Sequence, residues 1–212
     1  MAYIIDVGCN VSVNGYVKSK RQDGFTLVEL MIVLIIVAVL ATLAGPSFTE
    51  SIERNRRLFA MEDTLSLLTH ARSEAVARSA PVHVCPSADQ QTCIAGSNVW
   101  TPGIIAFADD GSGSGTESDG VLSGDEELIR VAAGFGSGID LYGPDPVTSS
   151  DSAIVFDEDG GAELGGTIQI CDRNGPASAS AIVMNVSGQL RIALDEDNNG
   201  TANDGAGDIT CD

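Results

Sequence analysis

A long apolar run near the start of the chain is its strongest pattern. Between Phe25 and Ala44 the run carries a single charged residue, Glu29. A helix of this length covers roughly 30 Å, which is the thickness of the hydrocarbon core of a bilayer. Basic residues stand just before the run, within residues 18–21. The pattern therefore predicts a membrane-spanning helix whose N-terminal end stays in the cytoplasm while the rest of the chain is exported.

The helical pattern continues beyond the apolar run. Gly45-Pro46 predicts a kink, because proline removes one hydrogen bond of the helix. Pro81 predicts the end, because the residue before a proline is driven out of the α region. We therefore predict one helix over 25–79, with a transmembrane half at 25–44 and an amphipathic half beyond it. The apolar face of the second half comprises Leu58, Met61, Leu65, Leu68, Ala71 and Ala75.

From residue 80 onward, short runs rich in Val and Ile alternate with Gly, Asp, Asn and Ser, which is typical of β-strands and turns. The last two runs, joined around Ser187-Gly188, predict a β-hairpin. The predicted fold class is α+β, with the long helix packed on an antiparallel β domain of residues 80–212 that forms two sheets. The predicted strands are Val82–Cys85, Val99–Ala108, Glu127–Ala133, Ile139–Tyr142, Ala153–Phe156, Thr167–Cys171, Ala181–Val186 and Leu190–Leu194.

The charge of the chain is strongly negative. The formal net charge is −19, and from residue 80 onward three arginines stand against 22 acidic residues. Two segments hold much of the acidic surplus, the glycine-rich loop 109–124 and the tail 195–212. Such a surface repels nucleic acid and anionic lipid headgroups, and it suits a soluble exported domain, cations or basic partners.

Specific motifs give the chain a family resemblance. The motif G-F-T-L-V-E at residues 24–29, followed by the apolar run, resembles the N-terminal methylation motif of type IV pilins and type II secretion pseudopilins. The later blocks ARSEA, PVHVCPS, GIIAFAD, TIQICD and IVMNVSGQLR resemble the GspH/FimT branch, which comprises minor pilins and minor pseudopilins. The resemblance covers about residues 18–212. It implies a structural and assembly role in a pilus or pseudopilus, as a priming or tip subunit, and not an enzyme.

The resemblance also implies how the N-terminus is processed. A prepilin peptidase would cut between Gly24 and Phe25, remove the leader 1–24 and N-methylate Phe25. Residues 1–16 are apolar and lack a basic residue, unlike such a leader, so we expect a natural start near Val17. The mature chain would lie in the inner membrane with its β domain in the periplasm, and then enter a filament with other minor pilins or pseudopilins.

Two roles are predicted for Glu29. A carboxylate in an apolar medium needs a partner, and the free amine of Phe25 on a neighbouring subunit would supply one during assembly. The spacing of Thr26 and Glu29 also matches a capping box, in which Glu29 satisfies the start of its own helix. The two roles do not exclude one another.

The cysteines predict disulfides. The predicted cut removes Cys9 and leaves four cysteines in an oxidising periplasm, where disulfides persist. Four cysteines allow three pairings. We favour Cys85–Cys93, which closes a short loop, and Cys171–Cys211, which ties the tail to a strand. Zinc is the alternative, but the cysteine spacings are not the usual C-x2-C of zinc sites.

The sequence also contains a candidate calcium loop and a candidate DNA-binding motif. The acidic tail matches the first half of a calcium loop, at Asp195, Asp197, Asn199 and Thr201, but the twelfth position is Ala206 and lacks the expected carboxylate. Calcium is thus a possible cofactor, and no other cofactor is expected.

The sequence Gly188-Gln189-Leu190-Arg191 resembles the Gly-Arg-x-Arg motif of DNA-binding relatives, with one arginine lost. A DNA-uptake pilin is therefore an alternative, although the acidic charge of the domain disfavours nucleic acid as a partner.

A membrane-anchored periplasmic enzyme is the remaining alternative. His70, Ser73 and Glu74 lie close together on the predicted helix, but nothing in the sequence brings a nucleophile, a base and an orienting acid together. His83 falls in a predicted strand. Trp100 is expected in the core or at a subunit contact.

Overall fold

The computed structural model describes residues 24–111, 120–123, 125–144 and 153–211, with residues 43–48 described as backbone. The predicted leader, with Cys9, lies outside these residues except for Gly24. The chain divides into two units, Met1–Pro46 and Ser47–Asp212.

Helix α1 runs from Leu27 to Arg78 and continues through Gly45-Pro46 without ending. The helix begins two residues later and ends one residue earlier than the predicted range 25–79. No helix in the part of the chain that the structure describes combines the length and the apolar character that a membrane crossing requires.

The C-terminal end of α1 is closed by backbone contacts. Ser79 adopts a left-handed conformation with φ of 51°. The N–H of Ala80 then donates to the carbonyl oxygen of Ala75 over 3.3 Å, which satisfies one of the last free carbonyls of the helix. Pro81 keeps Ala80 out of the α region, so the helix ends here as the sequence predicts.

The β domain contains two antiparallel sheets in the described residues, as predicted. Sheet A has the strand order β3-β2-β1-β5, and sheet B has the order β4-β6-β7-β8. In chain order the strands are β1 (Val82–Pro86), β2 (Gly103–Ala108), β3 (Leu128–Ala133), β4 (Ile139–Tyr142), β5 (Ile154–Phe156), β6 (Gly166–Asp172), β7 (Ser180–Met184) and β8 (Leu190–Ile192).

Each predicted strand is present, and the differences lie at the ends. The strand predicted at Val99–Ala108 begins only at Gly103, because the chain turns at Thr101-Pro102 and Val99 makes just an isolated bridge to Tyr142. The predicted hairpin is formed by β7 and β8, whose register pairs Ile182 with Ile192. A short 3-10 helix at Pro176–Ser178 was not predicted.

One core joins α1 to both sheets within the unit Ser47–Asp212. Leu67, Leu68, Ala71 and Ala75 are fully buried on the helix, and Leu58 and Leu65 are partly buried beside them. They belong to one cluster with Val84 and Ile104 of sheet A and with Leu141, Ile170 and Ile182 of sheet B. Trp100 is fully buried in this cluster, which settles its place in the core.

Two buried carboxylates hold the base of the acidic loop predicted at 109–124. Asp109 accepts a hydrogen bond from the N–H of Gly120 at 2.7 Å and lies 3.2 Å from Nε2 of His83. The carboxylate of Glu126 accepts backbone N–H bonds from both flanks of the same loop. The two ends of the loop are therefore fixed by side chains that water cannot reach.

Arg72 connects the helix to a turn of each sheet. Its Nε donates to the carbonyl oxygen of Gly160, in the turn after β5, over 2.7 Å. Its Nη2 donates to the carbonyl oxygen of Ser187, in the β7–β8 hairpin, over 3.1 Å. The two turns touch at Gly188, where an added Cβ would lie 2.1 Å from the oxygen of Gly160. Glycine at 188 and arginine at 72 thus fix the same junction.

We predict that Arg72→Ala lowers the free energy of unfolding by about 1–3 kcal/mol, because it removes two hydrogen bonds from a charged donor. The free energy of unfolding of Arg72→Lys should lie between those of the wild type and Arg72→Ala, since an ammonium group cannot reproduce the forked geometry of the guanidinium. Urea unfolding of the full chain in detergent, followed by the fluorescence of the single tryptophan, measures the effect. Arg54→Ala is the control, because Arg54 has no partner among the described residues. Equal destabilisation by Arg72→Ala and Arg54→Ala would contradict the prediction.

Candidate functional site

The predicted cleavage site lies in an open part of the structure. Gly24 is exposed, and apart from its chain neighbours no atom lies within 4 Å of the position that a Cβ would take there. Phe25 is 84% exposed. Because α1 begins only at Leu27, the bond between Gly24 and Phe25 is outside the helix, where a protease can reach an extended backbone.

The backbone of Glu29 takes part in the helix cap, and its carboxylate does not. The N–H of Glu29 donates to Oγ1 of Thr26 over 3.2 Å, which is one of the two bonds of a capping box. The return bond from the Glu29 carboxylate is missing, and this carboxylate has no hydrogen bond or ion pair with any described residue. The cap therefore leaves the charge of Glu29 available to a partner outside this chain.

The first part of α1 presents apolar side chains on all sides. The large apolar residues from Leu27 to Leu40 follow one another with few gaps, and each is between 51% and 74% exposed. Consecutive residues of a helix point around its whole circumference. An apolar surface of this extent is stable only when lipid or protein covers it.

Two disulfides brace the β domain. Cys85 is joined to Cys93 and Cys171 to Cys211, with Cα–Cα distances of 5.6 and 6.0 Å. These are the two pairings that the sequence favours. The first closes an exposed loop after β1, in which Asp89 accepts several hydrogen bonds. Those from the N–H groups of Gln91 and Thr92 contribute most to holding the pKa of Asp89 well below its usual range.

Comparison with known families decides the identity. The family described as "Type II transport protein GspH" matches residues 60–188, which is more than half of the chain. The chain belongs to the GspH family. The "Prokaryotic N-terminal methylation motif" matches residues 19–45, which contain Gly24, Phe25 and Glu29. The two matches agree with the resemblance in the sequence, and they cover the end of the predicted leader, the two ends of the helix and most of the β domain, with residues 46–59 between them.

Relatives from two systems are similar to about a quarter of this GspH-family chain. A fimbrial protein of Pseudomonas aeruginosa is 41% identical over 54 residues, which are 26% of this chain and 35% of the relative. The type II secretion system core protein G of Pectobacterium carotovorum subsp. carotovorum is 44% identical over 55 residues, with the same shares of the two chains. The chain thus spans about a third of the length of these curated relatives.

The fold is that of a solved pilin. A crystal structure of the Pseudomonas aeruginosa type IV minor pilin FimU matches with a TM-score of 0.50 at 18% identity, over 76% of this chain and 98% of that chain. At this identity the match shows the fold alone. It confirms the predicted class, a long N-terminal helix packed on an antiparallel β domain.

The residues of the predicted calcium loop are close together and hydrogen-bonded to one another. The N–H of Asn199 donates to Asp195 at 3.1 Å and more weakly to Asp197, and the N–H of Thr201 donates to Oδ1 of Asn199 at 2.8 Å. Asp208 accepts a hydrogen bond from the amide of Asn199 at 2.9 Å. Among the residues that the structure describes, no three His, Cys, Asp or Glu side chains are grouped so as to hold a metal ion. Calcium binding at this loop stays a prediction.

The remaining candidate residues have local partners. Nη2 of Arg191 donates to the carbonyl oxygen of Asp204 at 2.6 Å, so the one arginine of the DNA-type motif points to the acidic tail. On α1, Oγ of Ser73 donates to the carbonyl oxygen of His70 at 2.8 Å, which is a common helix contact. Glu74 lies 3.7 Å from His70 and pairs with Arg78 at 2.8 Å. Family and fold are those of structural pilins.

An ion pair that the sequence did not predict anchors α1 to sheet B. Arg57 donates to the carboxylate of Asp172 at the end of β6, and the two side chains are 13% and 1% exposed. Burial alone would raise the pKa of Asp172. Hydrogen bonds from the hydroxyl of Ser178 and the N–H of Asn174, together with Arg57, outweigh burial and lower this pKa. The feature of the sequence that could have indicated this ion pair is Asp172 itself, an acidic residue that directly follows Cys171 in a predicted strand.

We predict that Asp172→Asn lowers the free energy of unfolding at pH 7 by about 2–4 kcal/mol, because Arg57 loses its charged partner. The folded pKa of Asp172 lies below the unfolded value of about 3.9, so its contribution is present above about pH 4 and is lost as pH falls through the folded pKa. The difference between variant and wild type should therefore shrink below about pH 4. Urea unfolding at neutral and acidic pH measures it, with the exposed Asp140→Asn as control. A difference that is the same at both pH values would contradict this account.

Proposed function

We propose that the protein is a minor pilin or minor pseudopilin, a structural subunit that takes part in assembling a type IV pilus or a type II secretion pseudopilus. The observation that carries the proposal is the apolar start of α1, which is exposed on all sides, next to a carboxylate that has no partner among the described residues. A bilayer covers such a helix before assembly, and helices of other subunits cover it afterwards. Membership of the GspH family and the pilin fold support the proposal.

In this proposal the N-terminal motif is a processing signal. A prepilin peptidase hydrolyses the bond between Gly24 and Phe25 and transfers one methyl group to the new amine of Phe25. The open backbone at Gly24 and the start of α1 at Leu27 support access to this bond. Before assembly the chain lies in the inner membrane, with its N-terminus in the cytoplasm and its β domain in the periplasm. The two disulfides of the β domain suit that compartment.

Glu29 is proposed to guide the subunit into register. Its carboxylate lies in an apolar surface, where an unpaired charge is costly. The methylated amine of Phe25 on a neighbouring subunit carries the opposite charge, and the two groups meet when helices pack side by side with an axial offset. The attraction is strongest in the low-dielectric interior of a filament.

We expect the mature chain to begin at N-methylated Phe25. Mass spectrometry of the N-terminal peptide from wild-type cells should find it, and cells without the peptidase should retain the leader. A mature chain that keeps residues upstream of Gly24, or one that begins after the apolar run, would contradict the proposed processing.

We expect Glu29→Ala to reduce incorporation into filaments by at least about tenfold, because one buried charge loses its counter-ion. Glu29→Gln should behave alike, since it keeps the shape and removes the charge. Glu50→Ala is the matched control, because Glu50 is an exposed carboxylate on the same helix. Quantitative immunoblots of sheared filaments measure incorporation, and formation of both disulfides shows that the β domain is folded. Normal incorporation of the Glu29 variants would refute the assembly role of Glu29.

A further inference from the structure

An open cleft lies between α1 and the end of β3. Its volume is about 570 Å³, and its walls include Ile52, Arg56 and Phe59 of the helix and Phe135 after the strand. Phe59 is 68% exposed and Ile52 is 41% exposed. Large apolar side chains so exposed around one concave surface are typical of a protein contact site.

The charge of this cleft differs from that of its surroundings. Of the eight arginines in the described residues, six bind a carbonyl or carboxylate of the same chain, and Arg54 and Arg56 bind none. Arg56 lines the cleft. The acidic residue of the cleft, Asp63, is already paired with Arg130 at 3.2 Å. The cleft therefore offers one free positive charge beside an apolar surface, on a domain that is otherwise strongly acidic.

We propose that this cleft binds an acidic segment of a neighbouring filament subunit. An apolar side chain of the segment lies against Phe59 and Phe135, and a carboxylate pairs with Arg56. The inference rests on the proposed function, because it needs a neighbouring subunit. A two-fold contact with a second copy of this chain through the same surface is disfavoured, since it would bring two Arg56 side chains together.

The position of Arg54 gives a matched control for the charge. Arg54 and Arg56 lie on one helix and have no partner among the described residues, but residues two apart in a helix point to nearly opposite sides. Only Arg56 lines the cleft. Arg54→Glu and Arg56→Glu therefore change the net charge equally and differ in whether they change the cleft.

The test uses the full chain in cells that assemble the filament. Phe59 is replaced by the photo-crosslinking residue p-benzoylphenylalanine, and the same replacement at Val186, which is also 68% exposed, is the positional control. After illumination, the product from position 59 should be an adduct with another subunit that carries an N-terminal methylation motif. Mass spectrometry should place the crosslink within a few residues of an Asp or Glu. Arg56→Glu should lower its yield by about fivefold or more, and Arg54→Glu should leave it unchanged.

The same cells separate this inference from the proposed function. Removal of residues 1–24 and incorporation into sheared filaments report on the proposed function, and their absence would overturn both. If the chain is cut and incorporated, the inference alone fails when the position-59 product is a lipid or a second copy of this chain. It also fails when the yield equals that at Val186, or when Arg54→Glu and Arg56→Glu lower it equally. Both disulfides, checked in each variant, show that the β domain is folded.

Discussion

The burial of one face of α1 between two sheets is the interaction on which the β domain depends. Leu67 and Leu68 are fully buried there, and each such side chain contributes about 1.5–3 kcal/mol when it leaves water. Ala71 and Ala75 follow on the same face and are also fully buried. Arg72 stands between these two alanines and bonds to a turn from each sheet. The same part of the helix, residues 67–75, is therefore held to the sheets by both apolar and polar contacts.

The elements of the fold and its class were predictable from the sequence, and the order of the strands within each sheet was not. The helix, its end at Pro81 and the strands follow from local rules, because periodicity, proline and glycine act over a few residues. The strand order of the sheets and the pair between Arg57 and Asp172 depend on residues far apart in the chain, 115 positions for that pair. The apolar helix face was predicted from spacing, but Leu67 was missed because a simple stripe is narrower than a face covered by two sheets.

The candidate site divides in the same way. The residues at 24–29 were found from a motif, because they form a short linear sequence that can be recognised without the fold. Only the structure distinguishes the two roles of Glu29. Its N–H donates to the helix cap, and its carboxylate has no partner among the described residues. The arginines show the converse. Six of the eight described arginines hold the fold together. Of the two that do not, Arg56 lines the cleft that we propose as a contact surface.

The end of α1 also determines how the chain carries tension. After Ser79 and Pro81 the chain enters β1, which lies inside sheet A and is paired with β2 at five positions and with β5 at three. A pull on the helix from a filament or a membrane thus reaches the domain at a strand held on both edges. Separating that strand breaks ladder hydrogen bonds on both of its edges, whereas an edge strand is held on one edge alone. The connection from α1 to β1 is therefore a mechanically strong point of the subunit.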